Sequence, residues 1–187
     1  MTLDVVAVTS GLSFPSTSRA LTDLLLDATV EALAVAGHEA RTRTVEVREH
    51  AEAAATATVI GTRAPALVGA LEAVEQADLL VVASPVFRGS YAGVFKSFVD
   101  LLDSRALAGT PVLLAATGGS PRHTLMIDQA LRPLFAFMGA VEVPTGVYAS
   151  TEDWTLELFP MPWLTERAGR AARELARFAD LAPPASA

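Results

Sequence analysis

The sequence predicts an α/β fold in which a parallel sheet of five strands carries helices on both faces. Two observations support this prediction. Short apolar runs recur along the chain, and each one is followed by a stretch with the period of a helix. The first run, LDVVAV, contains few polar residues, which is typical of a strand buried on both faces. Strands that alternate with helices in this way form parallel sheets between two helical layers.

Composition limits the organisation and class of the protein. The 187 residues fit one domain, which we expect to span residues 1–182 before a short disordered tail at 183–187. A net charge of −7 disfavours a nucleic acid as partner. The absence of cysteine excludes disulfides and thiolate metal sites, and only three dispersed histidines disfavour a zinc site. The N-terminus lacks the basic flank of a signal peptide, and no apolar run approaches the ~20 residues of a membrane span. We therefore expect a cytoplasmic protein.

The first half of the chain predicts two strands and two or three helices. The strands cover residues 3–8 and 40–47, and the helix between them ends near Gly37, where glycine favours a C-cap. The apolar face predicted for that helix consists of Leu21, Leu24, Leu25, Ala28, Ala32 and Val35, with Thr22 placed away from it. The Ala- and Glu-rich segment 48–76 predicts one or two helices with a break near GTRAP.

The second half predicts three further strands. ADLLVVASP forms the third strand, and GVFKSFVDLLD forms a helix with Phe95 and Phe98 on one face. TPVLLAAT is the fourth strand. A helix over about residues 123–138 follows it, with a kink at Pro133, because proline removes a backbone donor and clashes with the preceding turn. VEVPTGVYAS supplies the fifth strand, and the last helix covers about residues 164–180.

Three loops follow strands at the carboxyl edge of the predicted sheet. They cover residues 10–18, 85–91 and 118–122 and are rich in Gly, Ser, Thr or Pro. In open parallel sheets, ligands bind beyond the carboxyl ends of the strands. The three loops are therefore the predicted binding site.

The first loop predicts a phosphate site. It places Ser16, Thr17, Ser18 and Arg19 at a helix N-terminus, where unpaired N–H groups and the helix dipole favour an anion. An ordinary helix cap by Ser16 or Ser18 is the alternative. The loop contains neither GxGxxG nor GK[ST], so the pattern favours a single terminal phosphate over the pyrophosphate of a dinucleotide.

The other two loops predict a surface for a flat ring. Backbone amides of the second loop can hydrogen-bond a ring edge, and Phe87 and Tyr91 offer apolar faces beside it. An ordinary turn with core aromatics is the alternative. Gly118 and Gly119 of the third loop leave room for a ring to lie against bare backbone. His123 is interpreted as a cap or surface residue rather than an acid or base.

Three stretches carry a resemblance to a known family. GLSFPSTSR, SPVFRGSYAGVFKSFVDLL and ATGGSPRHTLMIDQALRPLF resemble the NADPH-dependent FMN reductase family, which has a flavodoxin-like fold of three layers. The resemblance runs in order over about residues 5–150 and is closest to flavin reductases that supply reduced FMN to luciferase-like or sulfonate monooxygenases. It implies an enzyme that transfers a hydride from NADPH or NADH to FMN, with no catalytic side chain and no metal.

The resemblance also implies, position by position, which residues contact FMN. The implied phosphate contacts are Ser10, Ser16, Thr17, Ser18 and Arg19. The implied contacts to the isoalloxazine ring are Pro85, Val86, Phe87, Arg88, Gly89 and Ser90, with Thr117, Gly118, Gly119 and Ser120 on the other side. The family more often has tyrosine at the position of Phe87. Arg88 and Arg122 are candidates to select the 2′-phosphate of NADPH.

Two other functions on the same scaffold are alternatives: an NAD(P)H-dependent quinone or azo-dye reductase, and a flavodoxin-like electron carrier without NAD(P)H activity. A receiver domain of similar topology is excluded, because it requires an aspartate where the third strand of this chain ends in Ala83, Ser84 and Pro85.

Two apolar segments predict a homodimer or tetramer with the flavin near a subunit boundary. They are the helix over residues 95–102 and the stretch DWTLELFPMPW, since apolar surface patches usually mark interfaces. The series Arg167, Arg170, Arg173 and Arg177 is interpreted as a solvated helix face.

Overall fold

The computed structural model describes residues 1–179, so the predicted tail and the last residues of the predicted domain lie outside the described part. The strands are β1 (Thr2–Thr9), β2 (Glu39–Glu46), β3 (Leu79–Phe87), β4 (Ser90–Tyr91), β5 (Pro111–Thr117), β6 (Val141–Glu142) and β7 (Val147–Ala149). The α-helices are α1 (Thr17–Val35), α2 (Ala51–Ile60), α3 (Pro65–Glu75), α4 (Gly93–Val99), α5 (Arg132–Phe137) and α6 (Pro162–Ala176). A π-helix covers Ile127–Leu131, and 3₁₀ turns cover Val47–His50, Pro121–His123 and Thr151–Asp153.

The parallel part of the sheet has the order β2-β1-β3-β5, and β6 and β7 both pair with β5 at its other edge. This is the 2-1-3-4-5 arrangement of flavodoxin-like folds. The predicted count of five strands is wrong, since the sheet contains seven. Pro144 lacks an N–H group and divides the fifth strand into β6 and β7. β4 is a short return strand antiparallel to β3.

Both faces of the sheet are buried, as the apolar strands predicted. Along β1, Val6 and Val8 belong to one hydrophobic cluster, whereas Leu3, Val5 and Ala7 belong to the other. The first cluster lies under α2, α3, α4 and α5, and the second lies under α1 and α6. The carboxyl ends of β1, β3 and β5 consequently share one edge between two packed helical layers.

Helix α4 differs from its predicted role. Phe95 and Phe98 are fully buried in the core of their own chain. The apolar character of this helix is therefore explained without a partner subunit, and its use as evidence for an interface is wrong.

Helix α1 buries a different face from the one predicted. Thr22 and Thr29 are fully buried beside Leu21 and Leu25, whereas Val35 is 86% exposed. The threonine hydroxyls can be buried because each donates a 2.7 Å hydrogen bond to a carbonyl oxygen four residues earlier. A search for helical periodicity that counts threonine as polar therefore misplaces the buried face of α1 by about one residue.

Segment 48–76 is divided into two helices as predicted, whereas segment 123–138 is not one continuous helix. The break near GTRAP separates α2 from α3, with Gly61 at a φ of 81° ending α2. The helix expected over 123–138 is instead a 3₁₀ turn, a π-helix and α5 in succession. Pro133 has no N–H group for an α-helical bond, so the interruption lies on its N-terminal side.

No single helix within residues 1–179 combines the length and apolar composition that crossing a membrane requires. The segments Val47–Ile60 and Pro65–Glu75 meet that requirement only when taken together, and they are bent by 94° at the break.

Candidate functional site

The three loops meet around one cleft of about 360 Å³ at the carboxyl edge of the sheet. Its volume lies in the range of ~300–1,000 Å³ that is usual for ligand pockets. The predicted residues that line it are Ser16, Thr17, Ser18, Pro85, Val86, Phe87, Thr117, Gly118 and Gly119. The predicted residues that do not line it are Ser10, Arg19, Arg88, Gly89, Ser90 and Ser120.

The first loop is folded closely around Ser16, the N-cap residue of α1. The Ser16 Oγ accepts a hydrogen bond from the backbone N–H of Arg19 at 3.2 Å. A Cβ atom on Gly11 would lie 2.0 Å from this Oγ, so a side chain at position 11 would displace the capping hydroxyl. Ser18 and Thr117 join their hydroxyl oxygens at 2.6 Å and so connect the first loop to the third.

The start of α1 has the properties of an anion site. The backbone N–H groups of Arg19 and Ala20 are bonded to Ser16, whereas those of Thr17 and Ser18 lie at helix positions that have no intrahelical acceptor. The helix is 19 residues long, and its dipole places partial positive charge at this end. A phosphate group can therefore accept hydrogen bonds from backbone and hydroxyl donors here.

Ser10 and Arg19 are engaged within the protein instead. The buried Ser10 Oγ donates to Ser84 Oγ at 3.0 Å, and Ser84 Oγ also accepts from the N–H of Ala92. The Arg19 guanidinium pairs with Asp23 at 2.8 Å and with Glu46. Its hydrogen bond to Asp23 is the main cause that raises the pKa of Arg19 above its ordinary value. The Arg19 charge is thus already compensated by two carboxylates.

The second loop is a tight hairpin at the end of β3. Arg88 and Gly89 have φ values of 53° and 81°, and they form a two-residue turn between β3 and β4. Two successive positive φ values are the mark of a type I′ turn, which matches the twist of the strands it joins. The turn places Arg88 and Gly89 in solvent, while Pro85, Val86 and the half-exposed ring of Phe87 line the cleft.

The third loop packs its first glycine against a tyrosine. A Cβ atom on Gly118 would lie 2.3 Å from the hydroxyl oxygen of Tyr148, whereas one on Gly119 would meet nothing within 4 Å. The Tyr148 hydroxyl donates a 2.6 Å hydrogen bond to the carbonyl oxygen of Ser120. Burial, and then the charge of Asp153, raises the pKa of Tyr148 above its ordinary value. Tyr148 is therefore a neutral donor that fixes the loop.

Sequence reasoning missed part of the cleft. Three lining residues, Gly11, Leu12 and Ser13, lie in the first predicted loop without being among its predicted contacts. The lining residues outside all three predicted loops are Ala149, Ser150, Thr151 and Trp154. Ser150 to Asp153 form a capping box after β7, in which the Asp153 carboxylate accepts from the N–H and hydroxyl of Ser150. The sequence carries a signal for it, because Ser-Thr-Glu-Asp after a strand fits the capping-box pattern in its form that admits aspartate.

The cleft has two chemically different ends. We call residues 11–18 the phosphate end and residues 85–87, 117–119 and 149–154 the ring end. The phosphate end supplies hydroxyl and N–H donors, whereas the ring end supplies bare backbone at Gly118 and Gly119 beside Phe87. The residues present fit a ligand that joins a single phosphate to a flat ring, which is the shape of FMN.

Comparisons with known proteins agree with this geometry. The sequence pattern of the NADPH-dependent FMN reductase family matches residues 3–155. The chain is 47% identical over 151 residues to an FMN reductase (NADPH) of Pseudomonas aeruginosa, covering 80% of this chain and 78% of that one. It is 43% identical over 183 residues to the NADH-dependent FMN reductase SfnF of Pseudomonas putida, covering 98% and 96% of the two chains.

A solved structure shows the same similarity. An oxidoreductase from Corynebacterium diphtheriae superimposes with a TM-score of 0.89 at 40% identity, covering 96% of this chain and 98% of that one. The resemblance carried by the three sequence motifs is thereby confirmed. The chain belongs to the NADPH-dependent FMN reductase family.

Proposed function

We propose that the protein catalyses the reduction of FMN by NADH or NADPH. The observation that carries the proposal is the pairing, within one cleft, of a helix N-terminus rich in hydroxyls with a ring end of bare backbone. Family membership and relatives named as NADPH- and NADH-dependent FMN reductases support it. The two nicotinamide cofactors remain equal candidates, because those names include both.

The protein's part in this reaction is binding and alignment. Bound FMN would accept a hydride from the reduced nicotinamide, a transfer that depends on the alignment of two rings. The residues lining the cleft are Gly, Ala, Ser, Thr, Pro and apolar or aromatic residues, so no side chain among them exchanges protons near neutral pH. Phe87 and the backbone at Gly118 and Gly119 would hold the ring, and Ser16, Thr17 and Ser18 the phosphate.

The purified protein should oxidise NADH or NADPH when FMN is added, followed as the loss of nicotinamide absorbance. No oxidation with any flavin would contradict the proposal. Faster turnover with a quinone than with FMN would favour the quinone reductase. Nanomolar FMN retention without NAD(P)H oxidation would favour the electron carrier.

The proposal extends to assembly. Leu156, Phe159 and Trp163 are 100%, 66% and 53% exposed on the segment that follows the ring end. Large exposed apolar side chains in one segment favour an interface, and we propose a homodimer or tetramer that covers them. Light scattering should give a multiple of 19.6 kDa, and the double substitution L156S/F159S should shift the mass toward that of one chain. A wild-type mass of one chain would contradict assembly.

We further propose that reduced FMN passes to a separate flavin-dependent monooxygenase in the cytoplasm. The motif resemblance to reductases of two-component systems supports this proposal. Mixing the protein with candidate monooxygenases should couple NAD(P)H oxidation to product formation.

A further inference from the structure

Arg48 contacts the phosphate end from the turn after β2, a strand that none of the three loops follows. It lies in the 3₁₀ turn that follows β2. Its Nη1 donates to the carbonyl oxygen of Ser13 at 3.0 Å, and its Cζ lies 6.0 Å from the centre of the Phe14 ring. Nη2 pairs with Glu46 at 2.5 Å. One side chain therefore contacts two successive residues of the first loop.

The sheet topology explains this position. β2 and β1 are parallel neighbours, with Glu46 in register with Thr9. The chain leaving β2 consequently passes beside the chain leaving β1 at the carboxyl edge. The Glu46 carboxylate pairs with Arg19 through Oε1 and with Arg48 through Oε2, so one side chain holds both guanidinium groups.

Within the loop, segment 12–15 depends on this contact because all four of its residues are exposed. Phe14 is 90% exposed and Leu12 is 49% exposed. Among residues 1–179, the bond from Arg48 to Ser13 is the single hydrogen bond that reaches segment 12–15. Ser13 itself lines the cleft.

Arg48 also differs from Arg19 in its electrostatic surroundings. Arg19 pairs with two carboxylates, Asp23 and Glu46, whereas Arg48 pairs with Glu46 alone. The Arg48 side chain is 26% exposed, so its charge is only partly screened by water. Of these two arginines, Arg48 is the one that touches the loop through its side chain.

We infer that Arg48 is a positioning residue for the flavin phosphate: it fixes Ser13 and Phe14 so that the phosphate end keeps its shape. The inference rests on the proposed function. Arg48 acts on the phosphate through the loop, so its loss affects a flavin that carries a phosphate and spares one that lacks it.

Calorimetric titration of the full chain with FMN and with riboflavin tests this directly. Arg48→Ala should raise the FMN dissociation constant by about tenfold, because segment 12–15 must then be ordered when the phosphate binds. Riboflavin affinity should stay within about twofold of wild type, and kcat at saturating FMN should be unchanged while KM rises. Phe14→Ala, which alters an exposed ring and leaves the core intact, should raise the FMN dissociation constant in the same direction by a smaller factor.

Arg41→Ala is the matched control. It also removes one arginine from an ion pair, but that pair joins Arg41 on β2 to Asp4 on β1, away from the cleft. Its FMN dissociation constant should equal that of wild type. An unchanged FMN constant in Arg48→Ala, or an equal loss for riboflavin, would overturn the inference. Failure of the wild-type protein to bind FMN would instead overturn the proposed function.

Discussion

The two ends of the cleft are built by different means. At the phosphate end, the donors are side-chain hydroxyls and helix N–H groups, and Ser16, Ser18 and Arg48 hold the loop through polar contacts. At the ring end, apolar side chains such as Phe87 lie beside bare backbone at Gly118, which a buried aromatic side chain, Tyr148, supports from behind. Damage to the phosphate end should therefore distinguish FMN from riboflavin, whereas damage to the ring end should weaken both flavins equally.

The largest effect is expected from Gly118→Ala at the ring end. The new Cβ would lie 2.3 Å from the Tyr148 hydroxyl oxygen and 3.3 Å from Cζ. Tyr148 is only 4% exposed and its hydroxyl is bonded to Ser120, so the ring cannot move away without disturbing the loop. Overpacking of this kind costs ~1–3 kcal/mol. Titration should show FMN and riboflavin affinity falling together by more than about tenfold.

Gly119→Ala is the control for that change, because its Cβ would meet nothing within 4 Å. It should keep the unfolding midpoint of the wild type. If Gly118→Ala weakened FMN alone, the division of the cleft into two ends would be wrong.

An intermediate effect is expected from Ser16→Ala at the phosphate end. The change removes the oxygen that accepts from the Arg19 N–H and so removes the side-chain cap of α1. Loss of an N-cap costs ~1 kcal/mol of stability. FMN affinity should fall by about tenfold with riboflavin affinity unchanged, since the disturbed donors face the phosphate. Ser97→Ala, on α4 outside the cleft, should change neither constant.

The same contrast explains what could be predicted from the sequence. Glycine, serine and threonine at strand ends identified three loops, and strand periodicity placed them at one edge. The pairing of Arg19 with Glu46 could not be predicted, because the two residues lie 27 positions apart and only the tertiary fold brings them together. Arg48 was missed because a single arginine after an exposed strand carries no local pattern. The prediction of the ring end was incomplete because Ser150 and Trp154 reach the cleft from the segment after β7, which none of the three predicted loops includes.

The smallest effect is expected from Asp153→Asn, which removes the carboxylate that accepts hydrogen bonds from Ser150 beside the ring end. Burial favours a higher pKa for Asp153, but hydrogen bonds from the Ser150 N–H, the Trp163 indole and the Ser150 hydroxyl outweigh it and lower the pKa below its ordinary value. A carboxylate with a lowered pKa stabilises the folded state above the unfolded pKa near 3.8, and this stabilisation is lost as pH falls through the folded value.

Urea unfolding should therefore show Asp153→Asn less stable than wild type by ~1 kcal/mol at pH 7, the usual contribution of a capping side chain, with the difference shrinking below about pH 4. At pH 7 the variant should bind FMN and riboflavin two- to threefold more weakly, by the same factor, because Ser150 and Thr151 line the ring end. A stability difference that grew on acidification would show that the Asp153 carboxylate is not the group that stabilises segment 150–153.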